Sequence, residues 1–122
     1  MNGKRSVHPN ALPNYQNAVI PSDKLEKYAL DPTHPTGRHK AIVFKSALGF
    51  DQSNWQLLSQ SIIDELPYHE AVLGKDDEYG QRYTVIMPVT GPNGNTVEVV
   101  TAWIFKQGED YPSLASPYAR KK

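Results

Sequence analysis

The chain has 122 residues, which is the size of one small domain. Its 13 basic and 13 acidic side chains cancel, and this balance excludes a strongly basic protein that coats nucleic acid. The chain has no cysteine, which excludes a disulfide scaffold, an iron–sulfur cluster and a cysteine-ligated zinc site.

Residues 1–18 are predicted to form a flexible tether, because they are rich in proline and asparagine and show no hydrophobic periodicity. Residues 19–122 are then predicted to form a single α+β domain. Its first helix is short, over 22–30, and either Ser22 or Asp23 is a suitable N-cap because both side chains accept hydrogen bonds from free helical N–H groups.

The second and third helices are predicted from apolar side chains that recur every three or four residues. The second helix spans 38–48 and ends at Gly49. The third helix spans 51–65, and Asp51 or Ser53 caps it. The side chains expected to face the core are Ala41, Phe44, Ala47, Leu48, Trp55, Leu58, Ile62 and Leu66.

After the third helix the pattern becomes typical of strands. Residues 69–73, 82–89 and 96–105 are rich in β-branched and aromatic side chains, and one more short strand is predicted near 113–118. The glycines and asparagines of 90–95 predict a hairpin turn. Helices followed by an antiparallel meander predict an α+β fold in which the N-terminal helices pack on an antiparallel sheet.

The hairpin turn sets which side chains share a face of the sheet. With the turn centred on residues 92–93, Thr84 faces Thr101 and Arg82 faces Trp103, so all four lie on one face. An exposed tryptophan beside an arginine is typical of a binding surface. Threonine and arginine are also ordinary on the solvent side of a sheet, so both interpretations stay open.

Arg38, His39 and Lys40 open the second helix directly after a glycine. Free N–H groups and the helix dipole favour an anion at this end, so basic side chains there cost stability unless a negative ligand binds. Histidine exchanges protons near neutral pH, and arginine and lysine hold phosphate. The triplet is therefore compatible with metal-free RNA cleavage by the RNA's own 2′-hydroxyl, and also with an ordinary solvated helix start.

No histidine spacing suits a metal, and the acidic run at 76–78 fits a solvated loop, so we expect no metal and no cofactor. The charges are unevenly divided, with a balance of +4 over residues 1–50 and −4 over residues 51–122. A neutral chain of this kind can present a positive surface to a phosphate-bearing partner. Such an imbalance is also common in small domains.

Four segments carry a resemblance to a bacterial domain family, and together they reach from Leu12 to Tyr118. They are LPNYQNAVIPSDKLEKYAL, HPTGRHKAIVFKSALG, DEYGQRYTVIMPVTGPNG and VVTAWIFKQGEDYPSLASPY. The family resembled occurs as C-terminal toxin modules of bacterial competition proteins, including contact-dependent growth inhibition systems. The order of helices and then antiparallel strands is also similar to that of the barnase, EndoU, colicin and RelE ribonuclease superfamily.

The resemblance implies a metal-independent endoribonuclease, and the zero net charge favours a selective substrate such as tRNA. His39 would act as general base or acid, Thr84 and Thr101 would position the ribose or a phosphate oxygen, and Trp103 would stack on a base. The implied catalytic residues are His39, Lys40, Arg82, Thr84 and Thr101. The implied substrate contacts are Arg38, Tyr83 and Trp103.

The implied partners are an RNA substrate and a cognate immunity protein, with the chain itself a monomer. No apolar run approaches the roughly 18 residues of a membrane helix, and none near the N-terminus is typical of a signal peptide. A larger protein would therefore deliver the domain from the cell surface into the cytoplasm of a target cell.

The alternative is a noncatalytic immunity or adaptor protein that binds its partner through Trp103 and Arg82. A toxin with DNA or nucleotide chemistry ranks below both.

Overall fold

The computed structural model describes residues 5–120, and it confirms the α+β prediction. Three helices pack on one antiparallel sheet with strand order β1-β2-β3-β4, so β1 and β4 are the edge strands. The helices are α1 (Ser22–Lys24, continued by a π-helical turn Leu25–Ala29), α2 (Arg38–Leu48) and α3 (Trp55–Glu65). The strands are β1 (Ala71–Asp77), β2 (Gly80–Thr90), β3 (Thr96–Lys106) and β4 (Ser113–Ala119).

Helices α2 and α3 begin and end where local chemistry fixes them. Gly49 follows α2 with φ 84°, a left-handed conformation that favours glycine, and its N–H group donates to the Phe44 and Lys45 carbonyls. Asp51 precedes a 3₁₀ turn that leads into α3. Its carboxylate accepts the Ser53 N–H group, while the Asn54 side chain accepts the Asp51 N–H group in a capping box. Asp51 therefore caps the 3₁₀ turn, whereas α3 itself has Asn54 at its N-cap and no side-chain cap hydrogen bond.

The sheet has two different faces. The helix face packs against α2 and α3 and holds the core, where Phe44 and Leu48 meet Leu58, Ile62 and Met87. We call the opposite side the outer face. On β2 and β3 the helix face carries Tyr83, Val85, Met87, Val99, Thr101 and Trp103. On the same two strands the outer face carries Arg82, Thr84, Ile86, Val100, Ala102 and Ile104.

The predicted hairpin register is wrong by one residue. Thr84 pairs with Ala102 and Arg82 pairs with Ile104, because the turn is centred on Asn93 alone. The cause is a tertiary contact with the C-terminal end of α2. The Asn93 N–H group donates to the Leu48 carbonyl, and a Cβ atom on Gly91 would lie 1.9 Å from the same oxygen. A shift of one residue moves every side chain of one strand to the other face.

The predicted tether is also different in the structure. Residues 1–4 lie outside the described part, but residues 5–18 pack on the domain, and Leu12 is fully buried. The His8 N–H group donates to the Pro67 carbonyl, and the Asn10 carbonyl accepts the Ala71 N–H group. The packed domain therefore starts before Val19, since backbone groups and one apolar side chain of this segment are already committed to the fold.

The start of α1 also differs from the prediction. Neither Ser22 nor Asp23 caps it, because Pro21 occupies the N-cap position and makes no side-chain hydrogen bond. Proline fixes the backbone, but its side chain has no atom that could accept a hydrogen bond from the free N–H groups. The helix is correspondingly short and passes into the π-helical turn.

Candidate functional site

Thr101 and Trp103 lie inside the core, not on a binding surface. Both side chains are 0% exposed. The Trp103 Nε1–H group donates to Thr101 Oγ1 at 2.7 Å, and the Thr101 hydroxyl donates to the Val85 carbonyl at 2.8 Å. These two hydrogen bonds satisfy the buried indole N–H group and the buried hydroxyl, as polar atoms kept away from water require. The expected grouping of these two side chains with Arg82 and Thr84 is wrong, because the register places the pairs on opposite faces.

Tyr83 also lies on the helix face. It is half-buried, and its ring packs edge-on against Phe105 with ring centres 5.7 Å apart. Its contacts are those of a packing residue at the border of the core.

Thr84 contributes to a polar pocket of about 300 Å³ on the outer face. Strand β2 supplies Thr84 and Ile86, and the segment after α3 supplies His69. His8 reaches the pocket from the N-terminal segment, which the Pro67 carbonyl holds in place. The remaining lining residues are Tyr68, Glu70 and Val72. Two imidazoles and a hydroxyl thus converge on one concavity.

Contacts with charged side chains hold two lining residues of the pocket, Tyr68 and His69, in place. The Arg5 guanidinium donates two hydrogen bonds to the Glu65 carboxylate, at 2.9 and 3.0 Å, and lies 4.0 Å from the centre of the Tyr68 ring. Glu65 Oε1 is also 2.8 Å from His69 Nε2. The Arg5 hydrogen bond lowers the pKa of Glu65 most, and His69 lowers it further, against the opposing effect of burial. Glu65 is therefore held as a carboxylate between two cationic or donor groups.

These contacts fix which nitrogen of each imidazole carries hydrogen. Because Glu65 is ionised, His69 donates through Nε2–H, which leaves Nδ1 to accept a proton. Within residues 5–120, Nδ1 of His69 has no hydrogen-bond partner. At His8 the Asn10 N–H group donates to Nδ1 at 2.9 Å, so the hydrogen lies on Nε2. The pocket therefore holds one imidazole that accepts a proton and one that donates a hydrogen bond.

Arg82 lies two residues from Thr84 on the same face of β2, which places it about 7 Å along the strand. Its Nε atom is 3.7 Å from Asp77 Oδ2, and its side chain is 39% exposed. The Tyr79 N–H group, with Arg82 and Lys75 nearby, lowers the pKa of Asp77. The structure thus brings Arg82 and Thr84 together, as the sequence predicts.

The helical triplet lies elsewhere. Arg38 and His39 are exposed at the start of α2, and the Lys40 ammonium donates to the Tyr28 hydroxyl at 2.8 Å. Tyr28 packs against the core cluster, so this group is on the helix side of the sheet. The structure therefore does not bring the triplet to Thr84.

Residues 11–121 match the model of a family described as a domain of unknown function, DUF6883. The chain belongs to the DUF6883 family. No curated protein matches this DUF6883 sequence. A solved structure, the contact-dependent growth inhibition toxin–immunity protein complex from Klebsiella pneumoniae 342, contains a chain of similar fold. The two chains share 15% identity with a TM-score of 0.63, and the match covers 89% of this chain and 98% of that chain.

A concavity beside α2 of the DUF6883 domain has a more apolar lining than the pocket at Thr84. Its volume is about 670 Å³. Leu30, Ala41 and Ile42 make its lining mostly apolar, and the Lys45 ammonium there is paired with Asp51. Across residues 5–120, no cluster of three or more His, Asp or Glu side chains is arranged to hold a metal ion. In the same part of the chain, no helix is long and apolar enough to cross a membrane.

His8, Glu65 and His69 are not among the site residues predicted from the sequence. His8 fell within the predicted tether, and its position depends on backbone hydrogen bonds to Pro67 and from Asn10 that no local pattern announces. The one available signal was the spacing of four residues between Glu65 and His69, which places an acid and an imidazole on neighbouring turns.

Proposed function

We propose that this DUF6883 domain is the toxin domain of a contact-dependent growth inhibition system and cleaves RNA without a metal. One observation carries the proposal: a carboxylate-oriented imidazole shares a pocket with a second imidazole and a threonine. RNA cleavage by its own 2′-hydroxyl needs a base and groups that stabilise charge on phosphorus, and the outer face supplies both. The similar fold of a chain from a toxin–immunity complex supports the biological setting.

His69 is the general base in this proposal. Its Nδ1 atom takes the proton of the 2′-hydroxyl, the 2′-oxygen bonds to phosphorus, and the bond from phosphorus to the 5′-oxygen breaks. Water protonates the 5′-oxygen, and the hydroxide so formed takes the proton from His69. The products are a 2′,3′-cyclic phosphate and a 5′-hydroxyl. Glu65 stabilises the imidazolium as it forms, because its carboxylate accepts from Nε2.

The other outer-face groups act on the phosphate. The His8 Nε2–H group and the Thr84 hydroxyl donate to its oxygens, and Arg82 supplies positive charge as a fifth oxygen bonds to phosphorus. The substrate we propose is a selected RNA such as tRNA, since the chain carries no net charge with which to bind RNA indiscriminately. A larger protein would carry the domain into the target cell, where a cognate immunity protein would be its partner.

The competing site is the helical triplet, in which His39 would be the base and Arg38 and Lys40 would hold the phosphate. His39 is an exposed histidine on a helix, which makes it the matched comparison for His69. We expect His69→Ala to lower RNA cleavage by about 10²- to 10⁴-fold, as the loss of a general base does, and His39→Ala to leave it unchanged. Purified variants with wild-type circular dichroism are assayed on total tRNA by denaturing gel.

The reverse result, with cleavage lost in His39→Ala and kept in His69→Ala, would move the site to the triplet. Glu65→Gln tests the orientation of the base. Because the amide keeps the shape of the carboxylate but not its charge, we expect a smaller loss of cleavage than for His69→Ala.

The second candidate function is a noncatalytic immunity or adaptor protein. Strand β1 favours it, because this edge strand exposes Val72 and Leu73 by 55% and 66%. Induced expression in a bacterial host separates the two functions. A nuclease arrests growth and leaves discrete RNA fragments, whereas a binding module leaves growth and RNA intact.

A further inference from the structure

A second pocket, of about 410 Å³, lies on the helix side at the β4 edge of the sheet. Residues of α1 and the following π-helical turn form one wall, and the loop before α2 and strand β4 form the rest. Its lining residues are Asp23, Lys24, Lys27, Tyr28, His34 and Ala115. We call it the lysine pocket. It lies at the opposite edge from the outer-face pocket, which is built on β1 and β2.

His34 is fixed in the lysine pocket by its own loop. Its Nδ1 atom accepts the N–H groups of Gly37 at 2.9 Å and Thr36 at 3.1 Å. A nitrogen that accepts two N–H groups carries no hydrogen, so the ring hydrogen lies on Nε2 and the ring acts as a donor. The ring stands at 90° to Tyr28, with ring centres 5.0 Å apart. The imidazole therefore has both a set orientation and a set tautomer.

Tyr28 is oriented in the same way. Its hydroxyl oxygen accepts a hydrogen bond from the Lys40 ammonium at 2.8 Å, so its own hydrogen is left to donate. Gly37 allows this arrangement, because a Cβ atom there would lie 2.2 Å from the Tyr28 carbonyl oxygen. The start of α2 consequently sits directly against the backbone of Tyr28.

The groups that meet at the lysine pocket are donors and cations with little to accept from them. Among residues 5–120, the ammonium groups of the lining residues Lys24 and Lys27 form no salt bridge, and Asp23 is the one acid in the lining. Lys40 lies outside the lining and donates to the Tyr28 hydroxyl. The phenol and the imidazole add two neutral donors. Such a set matches an oxyanion that carries several acceptor oxygens, of which phosphate is the common biological form.

We infer that the lysine pocket binds a phosphate group of the RNA strand that is cut on the outer face, an inference that rests on the proposed function. The two pockets lie at opposite edges of a four-stranded sheet, which is about 14 Å wide. An RNA that reaches both must pass around the domain. The substrate class is then an RNA of many nucleotides, not a dinucleotide.

Two probes, inorganic phosphate and a five-nucleotide RNA, are titrated separately into ¹⁵N-labelled His69→Ala protein, in which we expect RNA cleavage to be slowed by about 10²- to 10⁴-fold. We expect both to shift the Gly37 amide and the His34 ring nitrogen resonances. Lys24→Ala/Lys27→Ala should weaken both interactions about fivefold or more, and lower the dependence of RNA affinity on salt by about 0.7 in log–log slope, since the pocket holds one phosphate and each phosphate contact of a single strand contributes about 0.7. The matched control is Lys75→Ala/Lys106→Ala, which removes the same charge from exposed positions.

Equal weakening by the two double variants, or shifts confined to residues outside the lysine pocket, would overturn the inference. Its failure is separable from that of the proposed function. Phosphate binding here by a chain that cuts no RNA would keep the pocket as a phosphate site and reject the nuclease. RNA cleavage by a chain whose Gly37 and His34 resonances do not move would do the reverse.

Discussion

At position 101 a hydroxyl group stabilises the fold more than a methyl group would. Its oxygen accepts from the Trp103 indole and its hydrogen goes to the Val85 carbonyl, all of it away from water. Removing one partner of a buried pair costs the desolvation of the other, while removing both is nearly neutral. The two side chains therefore act as a unit that fixes the indole in the core.

We predict that Thr101→Val destabilises the chain by about 1–3 kcal/mol when Trp103 is present, because the indole N–H group is left without an acceptor. In a Trp103→Phe background the same substitution should cost less, since that N–H group is gone. Urea unfolding of the two single variants and the double variant measures the coupling. Equal costs in both backgrounds would contradict the hydrogen-bond chain.

The candidate site could be predicted only in part from individual residues. Thr84 and Arg82 were found because alternation along one strand is a local property that survives an error in pairing. Trp103 was misplaced because its face depends on the partner strand. Glu65 and His69 were not predicted, because their part in the site depends on the contact between them and on the contact of Glu65 with Arg5. Arg5 is 60 residues away from Glu65 in the sequence.

Among the elements, the helices follow from local chemistry. The bounds of α2 match the prediction because an apolar stripe and a left-handed Gly49 define it without outside help. The register of the β2–β3 hairpin differs from the prediction, because its turn is hydrogen-bonded to the carbonyls of Ala47 and Leu48 at the end of α2. A turn that packs on another element takes the register that the contact allows. The residue preferences of hairpin turns do not predict such a register.

The Asp51 cap of the 3₁₀ turn before α3 gives the stability of the fold a dependence on pH. Lys45, then the Ser53 hydroxyl and N–H groups, lower the pKa of Asp51 to about 2 from an ordinary value of 3.8. Between these values the unfolded chain binds more protons than the folded chain, so stability falls as the pH falls from about 4 to about 2. Above about pH 5 the contribution of Asp51 is fully present.

We predict that the difference in stability between the wild type and Asp51→Asn is constant above about pH 5 and shrinks as the pH falls towards about 2. Subtracting the two curves removes the titration of the other carboxylates. Urea unfolding from pH 2 to pH 6 provides the measurement. In a Lys45→Ala background the decline should move to higher pH, since the largest cause of the shift is absent. A difference that persists undiminished to pH 2 would show that Asp51 is not held by these partners.

At the scale of the molecule, the N-terminal segment completes the core. Leu12 is 0% exposed among side chains of the helices and the sheet, whereas Val7 is 51% exposed. We predict that Leu12→Ala lowers the free energy of unfolding by about 2–5 kcal/mol, as a cavity in a packed core does. The matched control, Val7→Ala, should change it by less than about 0.5 kcal/mol. A neutral Leu12→Ala in thermal unfolding would restore the description of this segment as a tether.

The whole molecule also explains why residues that the sequence predicts to share one cleft lie apart in the structure. The predicted cleft joined the start of α2 to a polar sheet face, but the sheet itself stands between Lys40 and Thr84. Charged helix ends and polar strand positions are each visible in the sequence. Which side of a sheet a helix covers is decided by long-range packing, so the sequence does not show that the two groups lie on opposite sides of the sheet.

Residues 14–19 are held by residues 110–114, close to the other end of the described part of the chain. Val19 exchanges backbone hydrogen bonds with Pro112 and Leu114, and the Asn14 amide donates to the Asp110 carbonyl, 96 residues further along. A ribosome that adds about 5–20 residues per second makes the partners of Asn14 and Val19 about 5–20 seconds after those residues. The nascent protein therefore cannot finish folding until β4 is translated, and a prematurely terminated chain lacks the strand that its own beginning requires.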